Sequence, residues 1–138
     1  MKIVVDTCVL KLATFPTLHN PSALIAQLGT RRAFEWWVSP AILEEYSYVL
    51  ADEPGFLAEV FGVVDQCFPL TELGIIRHEP DNRFLECALA VQADFIITVN
   101  TGRGHFDKPR FGPVQVVTPG SFINLRQVRP LLLRLAAE

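Results

Sequence analysis

Acidic and amide residues stand where separate elements of this chain begin or end. Asp6 closes the apolar run KIVV (2–5), Asp81 opens DNRFLECALAVQ (81–92), and Asn100 closes DFIITVN (94–100). Glu44 and Glu45 stand one turn into SPAILEEYSYVLADE (39–53). Adjacent helical residues point about 100° apart, so only one of the two glutamates can face a shared site. Carboxylates gathered in one place repel one another and stay ionised together only when a cation joins them. Oxygen donors, without a Cys-x-x-Cys or Cys/His pattern beside them, favour Mg²⁺ or Mn²⁺ over zinc. Few carboxylates, several waters and substrate phosphates make a site suited to phosphodiester hydrolysis, because the cation polarises the phosphoryl oxygen and acidifies the attacking water. Each residue also has an ordinary structural role open to it: Asp6 as a turn former, Asp81 as a complement to a helix dipole, Asn100 as a strand-to-loop residue. It is their joint placement that points to chemistry.

Such a site needs elements that carry distant residues to one edge. KIVV reads as a buried strand. PSALIAQLG (21–29) reads as a helix, with Pro21 in its first turn and Gly29 at its end. RRAFEWWVS (31–39) is strand-like. Ser39 then caps a helix over 40–53 that has Pro40 at its first position, and Ile42, Leu43, Tyr46, Val49 and Leu50 fall at helical spacing. Pro54 and Gly55 are expected to break the chain. FLAEVFGVVDQCF (56–68) has a helical pattern, LGIIRHEP (73–80) is a short strand or loop, and 81–92 is a helix with Asp81 as N-cap or first-turn residue. DFIITVN is a buried strand, RGHFDKPRFG (103–112) a loop and VQVVT (114–118) a last strand; PGSFINL and VRPLLLRLAAE form one or two closing helices. Strands alternating with helices predict an α/β domain whose mostly parallel sheet is covered on both faces. Ligands bind such a sheet outside the carboxyl ends of its strands.

Composition limits the choices further. A chain of 138 residues suits one domain, and half of it is hydrophobic, with ten Phe, which is enough for a core without a covalent staple. Cys8, Cys67 and Cys87 are odd in number and widely spaced, and read as buried thiols in a reducing compartment. No apolar run reaches the roughly 18 residues of a membrane span. Asp6 interrupts the apolar start and no small-residue cleavage site follows, so the expectation is a cytoplasmic protein without a signal peptide. The net charge of −3 excludes a nucleic-acid binder that works through bulk positive charge. What is left is either no nucleic-acid contact, or basic residues offset by carboxylates that a metal neutralises. The absence of a P-loop or G-x-G-x-x-G argues against nucleoside triphosphates and dinucleotides.

The segments VVDTCVL, SPAILEEYSYVL and EPDNRFLECALAVQADFIITVN, in this order and at these spacings, resemble those of PIN-domain proteins. Asp6 stands at the family's first acidic position. The second acid of the family is directly followed by a large apolar residue, which selects Glu45, before Tyr46, over Glu44. Asp81 heads the third segment, with Phe84, Leu85 and Ala88 behind it. The resemblance runs on to VQVVTPGSFI. It implies one PIN-like domain over 1–138, a three-layer α/β/α sandwich with a mostly parallel central sheet, and a metal-dependent nuclease site taking Mg²⁺ or Mn²⁺. Many such proteins cut RNA as the toxin half of toxin–antitoxin pairs, so an RNA substrate, a small antitoxin partner and a homodimer are implied as well. The chain departs from the family at Cys8, where Asn is common, and at Asn100, often Asp. After Asn100, TGRGHF is lengthened, and His105 or Asp107 stands where another acid is expected.

On this resemblance Asp6 is the central metal ligand and Asp81 the second. Glu45 orients or deprotonates the attacking water, and Asn100 hydrogen-bonds a metal-bound water. Thr7 and Thr98 could lend hydroxyls; β-branched strand packing accounts for them equally well. Arg103, His105, Lys108 and Arg110 follow Asn100 and are candidates to grip RNA phosphates, with Arg31 and Arg32 as a second basic pair. Trp36 and Trp37 face opposite ways on a strand, so at least one belongs to the core. His19 and His78 have no partner pattern. Two competing functions are a PIN-like module that binds RNA or protein without cutting, supported by Cys8 and Asn100, and a phosphatase with an Asp nucleophile two residues before a second Asp. Cys8 in the second of those places disfavours the phosphatase.

Overall fold

The computed structural model describes residues 1–138. Its strands form one sheet in the order β3-β2-β1-β4-β6-β5. β1 (Lys2–Val5) lies parallel between β2 (Glu35–Val38) and β4 (Phe95–Ile97), with Ile3 opposite both Trp36 and Phe95. β3 (Asp65–Gln66) extends β2 in parallel, and β6 (Val114–Val117) extends β4 in parallel. β5 (Arg110–Phe111) closes the edge as the one antiparallel strand. β1 and β4 are almost wholly buried runs, as strands covered on both faces must be.

The helices are α1 (Thr7–Ala13), α2 (Pro21–Thr30), α3 (Pro40–Val49), α4 (Pro54–Phe61), α5 (Asp81–Val91), α6 (Pro119–Ile123) and α7 (Arg129–Ala137). From β1 the chain crosses to β2 in one direction, and from β3 it returns past β2 and β1 to β4. Right-handed crossovers running in opposite directions put their helices on opposite faces. α5 packs on β1, β2 and β4, while α2 packs with α1, α6 and α7. The result is the three-layer α/β/α arrangement with a mostly parallel sheet. The chain reverses its winding direction between β1 and β4, and a doubly wound sheet opens its ligand crevice at that switch point.

Several elements differ from the sequence reading, each for a physical reason. The sequence reading places no helix between Val5 and Pro21, yet one forms there. Asp6 leaves β1 with φ −67° and ψ 143°, and α1 begins at the next residue. Seven residues are too few to display a helical period. The helix expected over 40–53 ends at Val49, and the break expected at Pro54 and Gly55 falls just before Pro54, which opens α4, where its missing N–H has no intrahelical partner to lose. The pattern over 56–68 stops as helix at Phe61, and β3 forms from Asp65 and Gln66 by pairing with Trp37 and Val38. The strand expected over 31–39 shrinks to 35–38, because α2 runs to Thr30 and Arg32 turns the chain at φ 59°. Gly29 is therefore inside α2, not at its end. A Cβ there would stand 2.6 Å from Cε3 of Trp36, so the glycine is what lets the helix seat on the indole. The loop over 103–112 ends in β5, whose hairpin turns at Gly112 with φ +60°.

Apolar side chains from both helical layers and the sheet form one buried cluster. Phe122 of α6 meets Phe34 and Phe95 edge-on, with ring centres 6.1 and 5.9 Å away, and ties that helix to the sheet. Trp36 is buried in the core, and Trp37, on the opposite face of β2, is half-buried with Lys2 Nζ 5.9 Å above its ring. The three cysteines are free thiols; Cys87 is buried, with its sulfur 3.1 Å from that of half-buried Cys67. No helix is long and apolar enough to cross a membrane.

Candidate functional site

Asp6 sits where β1 stops, at the switch point, and only 4% of it is exposed. Its N–H donates to the Ile97 carbonyl at 2.9 Å, which fixes the backbone to the end of β4. Its carboxylate Oδ2 accepts from the Thr98 hydroxyl at 2.7 Å. Thr98 is fully buried, and the same hydroxyl accepts from the Asn100 N–H at 2.9 Å. One side chain thus sets both the Asp6 rotamer and the path of the chain leaving β4. Although Asp6 occupies the N-cap position of α1, its carboxylate caps nothing.

Glu45 reaches the same place from α3. Ser39 starts that helix by accepting from the Ile42 N–H at 3.3 Å, with Pro40 in its first turn. The buried Tyr46 next to Glu45 then fixes the rotation of the helix. Its hydroxyl donates to the Val5 carbonyl and accepts from Trp36 Nε1 at 3.3 Å. With Tyr46 pinned inward, Glu45 turns towards α1 and accepts from the Thr7 hydroxyl at 2.8 Å, while Glu44 is exposed. The Thr7 and Thr98 hydroxyls therefore each hold one carboxylate.

Asp81 is the first residue of α5 and is buried, so it is not a solvated partner of the helix dipole. Its Oδ2 lies 2.9 Å from Nδ1 of His105, on the loop after β4. The next residue, Asn82, is fully buried and clamps the irregular segment before α5. Its amide donates to the Ile76 and Glu79 carbonyls at 2.8 and 3.3 Å, and its oxygen accepts from the Ile76 N–H at 2.9 Å. His78 is held within that clamped segment, and its N–H donates to the Gly104 carbonyl at 2.7 Å. Gly104 has φ +87°, a conformation that favours glycine.

The remaining candidates divide. Asn100 stays at the site's edge through its backbone, which also accepts from the Phe106 N–H at 3.0 Å; its side-chain amide makes no hydrogen bond within the protein. Arg103 and His105 line an open groove together with Arg77, His78 and Gly104. Lys108 is not in that groove, and its ammonium lies 6.0 Å over the Phe111 ring. Arg110 pairs in register with Gln115 near the amino end of β6 and lines a hollow with Asp94 and Met1, at the opposite end of the sheet from Asp6. Arg31 pairs with Glu138, and Arg32 donates to the Gly62 carbonyl at 2.9 Å.

The family profile of the PIN domain matches residues 2–102, from β1 through β4 to the loop beyond Asn100. The chain belongs to the PIN-domain family. No curated protein and no solved structure matches it. The profile ends short of the likeness read out to VQVVTPGSFI, yet β6 continues the parallel sheet beside β4.

PIN domains are of nuclease type and typically bind a divalent metal, and the electrostatics of this PIN domain fit one. Burial is the main cause that raises the carboxyl pKa of Asp6, Glu45 and Asp81 above the ordinary range, and mutual repulsion adds to it. The charge of Asp81 raises Asp6, that of Asp6 raises Glu45, and that of Glu45 raises Asp81. The Thr98 and Thr7 hydroxyls pull Asp6 and Glu45 back down, and His105 does the same for Asp81. Carboxylates that raise one another's pKa are the kind of donors a hard cation suits, but the ligand atoms of Asp6, Glu45 and Asp81 do not all come within 4.8 Å of one another. Burial, with the Asp6 charge beside it, pushes the Cys8 thiol up to about 12, so this departure from the family leaves a neutral group at the site. Arg77, His78 and Asn82 are candidate or supporting residues to which the sequence reading assigns no role. Arg77 and His78 lie on a segment without periodicity, and the one signal for Asn82 was its place beside Asp81.

Proposed function

We propose that this PIN domain is a metal-dependent endoribonuclease, with Asp6, Asp81 and Glu45 as the residues that would hold Mg²⁺ or Mn²⁺. The observation that carries the reading is the placement of three buried or half-buried carboxylates from three separate elements, Asp6 where β1 ends at the switch point, Glu45 held by Thr7 beside it, and Asp81 at the start of α5. A bound divalent cation supplies Lewis acidity, polarising a phosphoryl oxygen and making water a better nucleophile at neutral pH. The chain's own residues do the rest. Thr98 keeps Asp6 in one rotamer, and Thr7 keeps Glu45 turned towards α1, so neither carboxylate must reorganise when substrate arrives. Glu45 is the less buried of the three and is suited to accept a proton from the attacking water. Asn100 borders the site and offers a neutral amide to hydrogen-bond water there. Arg77 and Arg103 line a groove next to Asp81 and offer guanidinium groups to RNA phosphates, which reconciles phosphate binding with a net charge of −3.

The cellular role proposed is that of the toxin of a type II toxin–antitoxin pair in the cytoplasm, with a small antitoxin protein as partner and a homodimer as the assembly. Support for this role is the habit of the family. A second reading, a PIN-like module that binds RNA or protein without cutting, draws on Cys8 and on Asn100 in place of a fourth acid. Cleavage of a structured RNA by purified protein with Mn²⁺ or Mg²⁺, compared with EDTA and with Asp6→Asn, separates the two. Metal-dependent cutting that falls at least about 100-fold in the variant is expected. RNA binding with no cutting under any metal would leave the second reading.

A further inference from the structure

Next to the carboxylate centre, His78, Asp81 and His105 each present one ligand atom, all within 4.8 Å of one another. No other three His, Cys, Asp or Glu residues come together in this way. We infer that these three side chains form a cation site of their own, selective for a later first-row divalent transition metal such as Zn²⁺ or Co²⁺ over Mg²⁺ and Mn²⁺. The argument begins with the donors. Two imidazoles and one carboxylate match borderline transition metals, whereas Mg²⁺ prefers oxygen and keeps its waters. Next comes spacing. Nδ1 of His105 and Oδ2 of Asp81 are 2.9 Å apart, close to the roughly 3.0 Å that separates neighbouring ligands on a cation with bonds of about 2.1 Å. The two imidazole rings lie 4.6 Å apart and 41° from parallel, and the exposed His78 ring is free to turn the short remaining distance.

The site is also built rather than incidental. His78 and His105 come from different segments, and the His78 N–H to Gly104 carbonyl bond of 2.7 Å fastens those segments together. The fully buried Asn82 holds the backbone on both sides of His78, and Phe106, the residue after His105, is buried and anchors that loop. A plain Asp–His pair would need neither the second histidine nor the clamp that presents it. Arg77 and Arg103 share the groove, but both are exposed, so solvent and salt screen their repulsion of a cation. Asp81 belongs to both sites. Any effect of the histidine site on cleavage therefore rests on the function proposed above, whereas binding of the metal to the histidines does not.

The test is spectroscopic and calorimetric. Metal-free protein is titrated with Co²⁺, read by visible absorption, and with Zn²⁺, read by calorimetry. Wild type, His78→Gln, His105→Gln and Asp6→Asn are compared, with folding of each checked by thermal unfolding. One equivalent of Zn²⁺ or Co²⁺ is expected to bind wild type and Asp6→Asn alike, with imidazole-type Co²⁺ bands that millimolar Mg²⁺ does not displace. Each histidine variant is expected to lose at least about 100-fold in affinity. Unchanged Co²⁺ spectra and Zn²⁺ affinity in both folded histidine variants would overturn the inference. Histidine-dependent Zn²⁺ binding, in a protein whose Mn²⁺ binding shows no dependence on Asp6, would leave this inference standing and overturn the carboxylate centre instead.

Discussion

Thr98→Val removes one oxygen from the core and keeps the side chain's shape, which isolates what the hydroxyl does. In the native protein that hydroxyl donates to the Asp6 carboxylate at 2.7 Å and accepts from the Asn100 N–H at 2.9 Å, with Thr98 fully buried. A hydrogen bond to a charged group contributes about 1.5–3 kcal/mol, and leaving a buried donor unpaired costs about 1–3 kcal/mol. The valine methyl recovers part of this through apolar burial, which leaves a loss of about 3 kcal/mol. At about 2.1 cal/mol/K per residue, that is a fall in Tm of roughly 10 °C for a chain of this length. The loss depends on pH. Burial raises the Asp6 pKa and the Thr98 hydrogen bond lowers it, so the substitution raises it further. An ionised Asp6 misses the donor most, and a protonated one misses it least. Urea unfolding of metal-free protein should therefore show the full loss near pH 8 and a smaller one near pH 5, with the m-value unchanged. Mn²⁺ affinity should fall as well, because protonation competes with metal. A loss below about 0.5 kcal/mol at pH 8, or one that grows on acidification, would refute the assignment of Thr98 as the holder of Asp6.

Metal-free protein should be stabilised by mild acid. Carboxyl groups with raised native pKa values favour folding when protonated, and that contribution is lost as pH rises from 3.8 for Asp6 and Asp81, or 4.5 for Glu45, through their raised native values. Thermal unfolding from pH 5 to pH 8 should show a falling Tm, a flatter profile in Asp6→Asn, and reversal of the fall by saturating Mn²⁺. Gly29→Ala should cost about 1–3 kcal/mol in urea unfolding, since its Cβ would meet the Trp36 ring at 2.6 Å; a neutral result would mean that α2 can shift freely. Arg77→Ala should weaken RNA binding across sequences and reduce the slope of log K against log salt by about one phosphate's worth, leaving Mn²⁺ affinity unchanged. A slope that does not move would remove Arg77 from the RNA path.

The parts of the fold that the sequence makes legible are those determined locally. KIVV and DFIITVN are continuous apolar runs and become the two central strands, and Ser39–Pro40 and Pro21 mark true helix starts. What escapes is decided by partners distant in sequence. β3 and β5 are two-residue strands that exist only because Val38 and Val114 stand beside them, and α1 is too short to carry a period. The candidate site divides in the same way. Asp6, Asp81 and Asn100 are visible at element ends, where topology puts a crevice. Adjacency alone left Glu44 and Glu45 open, and the geometry that turns Glu45 inward is the anchoring of Tyr46 to Val5 and Trp36. The positions of Arg77 and His78 depend on Asn82, and on Arg83 and Glu86, which bond the Leu73 backbone, so no local pattern reveals them. Arg110 looks adjacent to Arg103 in sequence, but the hairpin carries it to the far end of the sheet.

The most direct test of the central claim is calorimetric titration of Mn²⁺ into metal-free wild-type protein and Asp6→Asn at pH 7.5. If Asp6, Glu45 and Asp81 form a cation centre, wild type binds Mn²⁺, the variant loses at least about 100-fold in affinity, and its metal-free Tm is equal to or above that of wild type, because a repelling charge has been removed. Equal Mn²⁺ affinity in the two folded proteins would contradict the account.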